Sequence, residues 1–345
     1  MKSETEIFFP PEWAEQDAVM LTWPHAGSDW APMLAEVEKT YLEIAREICK
    51  RELLIVVCPD PKALEGNFSR EERQNIRFFA IPSNDTWARD HGPIGVFANG
   101  KPRLLDFQFN GWGNKFNARL DNQISGELFR QKAFKPQVEY ADCLNFILEG
   151  GSLETDGKGT LLTTSECLLN PNRNPGYSKG QIEKKLREML GVNRFLWLDH
   201  GFLQGDDTDS HIDTLARLCD ENTIAYVKCD NPDDPHFREL NKMEEQLRQF
   251  VTPAGEPYRL IPLPMPDPVF SEDEERLPAT YANFLVINQA VLVPVYAQKS
   301  DQIALKALQN AFPGREIIGI NCLSLIKQNG SLHCITMQFP KGFIR

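Results

Sequence analysis

The sequence predicts a mixed α/β fold, and three observations carry that prediction. Strand-like runs outnumber helix-like ones by more than two to one. They do not alternate one for one, as strands and helices do in a doubly wound parallel sheet. Hydrophobic residues fill 41% of the 345 positions and aromatics 10%, enough to bury a large core.

The elements follow in chain order. Residues 33–50 place Leu34, Val37, Tyr41, Ile44, Ala45 and Ile48 at helical spacing and run straight into the β-branched stretch 53–57, so a helix feeds a buried strand. Short strands are expected at 78–81, 94–97, 104–109, 146–148, 160–164 and 195–198, and again at 223–227, 258–261, 284–287, 291–295, 316–320 and 334–339. Helical periodicity returns near 121–132, 179–190, 235–250 and 301–311. This order suggests a repeating unit of about 65–70 residues with two or three strands and one helix, although no residue-level repeat is visible. The stretch 261–278 mixes Pro262, Pro264, Pro266, Pro268 and Pro278 with the acidic run 272–275. It reads as a long loop over a site, or as a domain boundary.

Charge and composition narrow the function. The net charge is −12 and the pI about 5.1, which disfavours binding to nucleic acid or anionic lipid, since both require concentrated positive charge. The apolar runs 53–58 and 284–295 are too short or too interrupted to cross a bilayer. Met-Lys-Ser-Glu-Thr-Glu at the start lacks the pattern of a secretory signal, so a cytoplasmic location is expected. Eight scattered cysteines without a Cys-x-x-Cys pair read as buried reduced thiols, one of which is a candidate nucleophile.

Four segments concentrate reactive side chains beside Gly, Asn or Pro. Residues 84–93 hold Asp85, Arg89, Asp90 and His91 between two apolar strands, and a polar turn with capping aspartates is the simplest account. In 148–153, Glu149 ends a strand directly before Gly150 and Gly151, which mark either a hairpin or a close approach of backbone to a ligand. In 205–214, Asp206, Asp207 and Asp209 precede His211, and Asp213 follows it; in an extended tail His211 and Asp213 face the same way. This segment lacks the Gly and Glu of a calcium loop and has no second His at zinc spacing, so no metal is expected. In 328–336, Cys334 stands just past a turn at the start of a strand. His333, its neighbour, then points to the opposite face, which leaves His211 as the better candidate base.

A thiolate nucleophile accounts for Cys334 and His211. The surplus of carboxylates opposes thiolate formation, and a cationic substrate resolves the conflict, because a guanidinium is matched by carboxylates through paired charge-assisted hydrogen bonds.

The blocks 85–90, 149–151, 207–213 and 333–336, with 11–13, 22–24 and 167–174, resemble the signatures of the agmatine deiminase and bacterial (Porphyromonas-type) peptidyl-arginine deiminase family over about residues 8 to 340. The resemblance implies one catalytic domain over residues 1–345, a five-bladed α/β propeller of ββαβ units around a central site, as in the guanidino-group-modifying (pentein) superfamily. It implies Cys334 as nucleophile, His211 as general acid and base, Glu149 as the residue orienting it, and Asp90 with Asp213 as holders of the guanidinium. Trp87 and Trp112 are candidates to pack on the substrate tail, or are core residues. The implied reaction hydrolyses a small cationic guanidino compound, most simply agmatine to N-carbamoylputrescine and ammonia on the route to putrescine, through a thiouronium on sulfur and with no cofactor.

This chain departs from the family pattern at His91, Ser210, Thr214, Gln328, Asn329, Ser331 and Met337, all beside the implied catalytic groups. Free arginine or peptidyl arginine as substrate therefore stays open, as do amidino transfer to an amine, a non-catalytic arginine- or polyamine-binding role, and a homo-oligomer.

Overall fold

The computed structural model describes residues 5–344. A hairpin of two antiparallel strands, a helix and a third strand parallel to the hairpin recur through the chain. Strands Ile94–Ala98 and Lys101–Gln108 form one hairpin, helix Ile124–Arg130 follows, and Glu139–Ile147 returns parallel to the hairpin's second strand. The same order joins Glu154–Thr155 and Thr160–Thr164, helix Lys179–Leu190 and strand Arg194–Leu198. It repeats with Ala216–Asp220 and Thr223–Lys228, helix Phe237–Leu247 and strand Arg259–Pro264. A further copy contains Leu285–Ile287 and Ala290–Val295, helix Ser300–Ala311 and strand Glu316–Asn321.

The remaining copy joins the two ends of the chain. Thr336–Pro340 lies antiparallel to Gln16–Thr22; helix Leu34–Cys49 then leads to Leu53–Cys58, and Ile76–Ala80 extends the sheet. Among the described residues there are thus five small sheets, and the repeating unit suggested by element order is present as topology. Among the described residues no helix is long and apolar enough to cross a membrane.

Local chemistry explains the elements. Helix Leu34–Cys49 buries Val37, Tyr41, Ile44, Ala45 and Ile48, one face at a spacing of three and four. Helix Lys179–Leu190 starts with a capping box between Ser178 and Gln181 and stops at Gly191, whose φ of 72° suits glycine. A Cβ there would also meet the Ile7 carbonyl oxygen at 2.1 Å.

All five expected helices and most expected strands are present. Strands Ile7–Phe8, Gln16–Thr22, Glu154–Thr155 and Ala216–Asp220 were not foreseen. The last of these carries Arg217, a buried charge that breaks the apolar run and is satisfied by Glu154 and Glu12 from other elements. The proline-rich stretch opens as a strand, because Arg259–Pro264 lies at a sheet edge where missing N–H donors are tolerated. Beyond it a loop folds back, with Leu277 N–H donating to the Val269 carbonyl and Arg276 paired to Asp234 at 2.8 Å. The last strand begins at Thr336 rather than 334, so Cys334 sits in a turn and not on a strand.

Candidate active site

Each connection between one unit's last strand and the next hairpin brings a polar side chain to a common centre. Asp90 comes from the short helix Ala88–His91, and Glu149 from the residue before the turn Gly150–Ser152. His211 and Asp213 flank the start of the turn Ile212–Thr214, Asn283 precedes strand Leu285–Ile287, and Cys334 precedes the final strand. The connecting loops thus bring together all five catalytic or guanidinium-binding candidates named from the sequence.

His211 is fully buried, with Nδ1 3.6 Å from Asp90 Oδ1 and Nε2 3.6 Å from Glu149 Oε2, and neither ring nitrogen has a hydrogen-bond partner. Burial alone would lower its pKa, but Asp90, Cys167 and Glu149 outweigh that and raise it well above the ordinary value. The glycine pair permits this approach: a Cβ on Gly151 would meet His211 Nδ1 at 2.5 Å and Asp90 Oδ1 at 2.9 Å, and one on Gly150 would meet the Arg89 carbonyl oxygen at 2.2 Å.

The two carboxylates flanking His211 differ. Glu149 accepts from Arg173 Nε at 3.0 Å, and despite full burial the nearby His211 ring and the charge of Arg173 hold its pKa below the usual range. Asp90 accepts from Trp112 Nε1 at 2.9 Å and Gly151 N–H at 3.0 Å but is bonded to no Arg or Lys, and burial pushes its pKa up to about 6. Trp112 reaches it from a left-handed backbone at φ 54° and ψ 48°, unusual for a bulky side chain.

Behind the thiol His333 links two buried carboxylates. His333 stands 2.7 Å from Asp213 Oδ2 through Nδ1 and 2.7 Å from Glu12 Oε2 through Nε2. Glu12 also accepts from Arg217 at 2.7 Å and from Val286 N–H at 2.7 Å. Asp213 is buried, yet the hydrogen bond and charge of His333 keep its pKa low, and its Oδ1 has no partner. The Cys334 thiol donates to Asn283 Oδ1 at 3.4 Å and lies 4.0 Å from Asp213 Oδ2. Burial, then Asp213 and Asp90, push its pKa well above that of a free thiol.

A cleft with about 490 Å³ of space opens onto Asp90 and Cys334 between Trp87, Trp112 and Phe116. Asp29, Asp85 and Asp207 also line it, and among the described residues that line it none is Lys or Arg. Both tryptophans named from the sequence therefore face the cleft. Of the positions that depart from the family pattern, Gln328 and Asn329 line it, whereas His91 turns to Thr22 Oγ1 at 3.3 Å and Ser331 to the Tyr296 hydroxyl at 3.2 Å. Ser210 has φ 61°, a left-handed backbone that favours glycine.

Sequence reasoning assigned nothing to Arg173, Cys167, Asn283, Glu12 or Arg217. Arg173 and Cys167 share the Asn- and Pro-rich block 167–174, and Glu12 lies in 11–13; a lone Arg among turn-forming residues was the available signal.

The site sets a buried thiol and a histidine with free ring nitrogens beside an acidic cleft whose described lining holds no Lys or Arg, and the similarity to agmatine deiminases makes the chain a hydrolase of guanidino C–N bonds. The sequence model of the Porphyromonas-type peptidyl-arginine deiminase family matches residues 8–340, and the chain belongs to that family. A Porphyromonas gingivalis protein provisionally named arginine deiminase is similar at 54% identity with a TM-score of 0.95, covering 98% of this chain and 100% of that one. An agmatine deiminase of Campylobacter jejuni, solved with substrate bound, is similar at 43% identity and a TM-score of 0.92, covering 100% of this chain and 99% of that one. A Vibrio parahaemolyticus protein provisionally named agmatine deiminase is 35% identical over 356 residues, covering 97% of each chain.

Proposed function

We propose that the protein is an iminohydrolase converting agmatine and water to N-carbamoylputrescine and ammonia. The observation that carries this choice is the cleft at Cys334: among the described residues four aspartates and no basic side chain line it, which suits a ligand cationic at both ends and repels the carboxylate of free arginine. The five hairpin–helix–strand units are the blades of a five-bladed propeller, and the whole chain is one catalytic domain.

In this reading Asp90 and the free Oδ1 of Asp213 grip the guanidinium and hold its central carbon near Cys334. The bound cation neutralises the two carboxylates that raise the thiol's pKa, so substrate itself favours the thiolate. The thiolate attacks the central carbon, and protonated His211 gives its proton to the departing ammonia, leaving a thiouronium on sulfur. Neutral His211 then takes a proton from water, the hydroxide adds to the same carbon, and the C–S bond breaks as the hydroxyl proton passes to the departing thiolate, releasing the ureido product. Glu149, fixed by Arg173, holds the ring of His211.

The test incubates wild type and Cys334→Ser with agmatine, arginine and an arginine-containing peptide while ammonia and ureido product are measured. Turnover of agmatine alone, lost in Cys334→Ser, is the expected result. Preference for the peptide or for arginine overturns the substrate choice, product formed only with an added amine acceptor points to amidino transfer, and no turnover of any guanidine leaves a binding protein.

A further inference from the structure

Cys167 takes no part in the proposed reaction, yet it is fully buried beside the catalytic pair. Its thiol donates to Glu149 Oε2 at 3.7 Å, and His211 Nε2 lies 3.6 Å from the same oxygen. One donor atom from each of Glu149, Cys167 and His211 lies within 4.8 Å of the others. Tetrahedral zinc bonds of about 2.0–2.3 Å set neighbouring donors about 3.3–3.7 Å apart, so little movement separates this arrangement from a coordination sphere. Two further features favour a metal. Both ring nitrogens of His211 are buried without a partner. Arg173 Nε lies nearer Glu149 Oε1, at 3.0 Å, than Oε2, at 3.3 Å, and so orients the carboxylate with Oε2 turned to the other two donors.

We propose that Glu149, Cys167 and His211 form an inhibitory site for zinc, or a divalent ion of similar preference, behind the catalytic cleft. One sulfur, one imidazole nitrogen and one carboxylate oxygen are the donors zinc takes, and water completes the fourth position. Binding expels the Cys167 thiol proton, and any proton on His211 Nε2, to solvent. The ion then occupies the nitrogen lone pair of His211, which can no longer carry protons between ammonia and water. The inhibition rests on the proposed reaction, whereas occupancy of the site does not.

The test titrates zinc-free protein with Zn²⁺ against a chromophoric chelator, for wild type, Cys167→Ala, Cys167→Ser and Cys334→Ser, with circular dichroism and thermal melting to verify each fold. One zinc per chain in wild type and in Cys334→Ser, bound at least tenfold more weakly by both Cys167 variants, is expected, with one sulfur among the ligands by zinc X-ray absorption. Agmatine turnover by wild type should fall with zinc and return with chelator, and each Cys167 variant should need at least tenfold more zinc for the same fractional loss. Zinc binding lost in Cys334→Ser but kept in the Cys167 variants makes the nucleophile the ligand and overturns the proposal, as does the absence of submillimolar binding to wild type. Should agmatine not be turned over at all, the binding and absorption measurements still decide the site.

Discussion

His211 and His333 are both buried completely, yet one ring is free at both nitrogens and the other is clamped at both. The clamped ring belongs to a wall in which Arg217 pairs with Glu12 and Glu154, and His333 joins Glu12 to Asp213. The free ring lies by the cleft, where Asp90 is bonded to no Arg or Lys among the described residues, and burial, with Asp213 and Asp90, raises the pKa of the thiol. A buried charge left unpaired is costly, whereas one in a closed network is stable and hard to move. The wall therefore supplies rigidity, and the cleft side keeps its unmet electrostatic demand for a cation.

The largest effect tests the cleft side. Cys334→Ser should lower agmatine turnover by about four orders of magnitude or more, measured as ureido product, with the melting temperature little changed. The sharpest contrast comes next. His211→Asn should cut kcat by about 10²–10⁴-fold while the fold stays intact. His333→Asn should instead lower unfolding free energy by about 3–5 kcal/mol in denaturant titration, because it weakens the link between Glu12 and Asp213. If the two variants exchange these effects, the division into wall and cleft is wrong.

A smaller effect concerns how the cleft loop is held. Asp121 accepts from Asn84 N–H at 2.6 Å and Asp85 N–H at 3.2 Å, and burial raises its pKa to about 7. A carboxyl whose folded pKa is raised stabilises the fold below its unfolded pKa of about 4 and loses that contribution as pH rises through about 7. Wild type should therefore lose stability relative to Asp121→Asn between pH 4 and 7.5, by about 1–4 kcal/mol. A pH-independent difference between the two proteins would sink this account. Smallest is Gly330→Ala, whose Cβ would meet the Trp87 ring at 2.0 Å. Pushing that ring should raise KM for agmatine severalfold with kcat within about twofold, in steady-state kinetics.

The legible parts of the molecule were those whose information is local. Helix Leu34–Cys49 shows its buried face in its own spacing, and the four polar segments stand out because no core would hold them. The wall was illegible, since its partners are remote: Glu12 and His333 lie 321 positions apart, and each alone reads as an ordinary polar residue. Arg217 hid its own strand, because only Glu12 and Glu154 make a charge tolerable there. Placing Cys334 on a strand failed by two residues, enough to remove the alternation argument about His333, whose ring is turned from the thiol by its two carboxylate partners instead.

The pairing of Thr336–Pro340 with Gln16–Thr22 has a consequence for how the molecule is made. Closing so long a loop is entropically slow, so this strand should dock late in folding. Cys334 reaches its place only with that docking. Partly folded chains would then contain the acids and His211 without a positioned thiol, and chemistry would begin only in molecules that have finished folding.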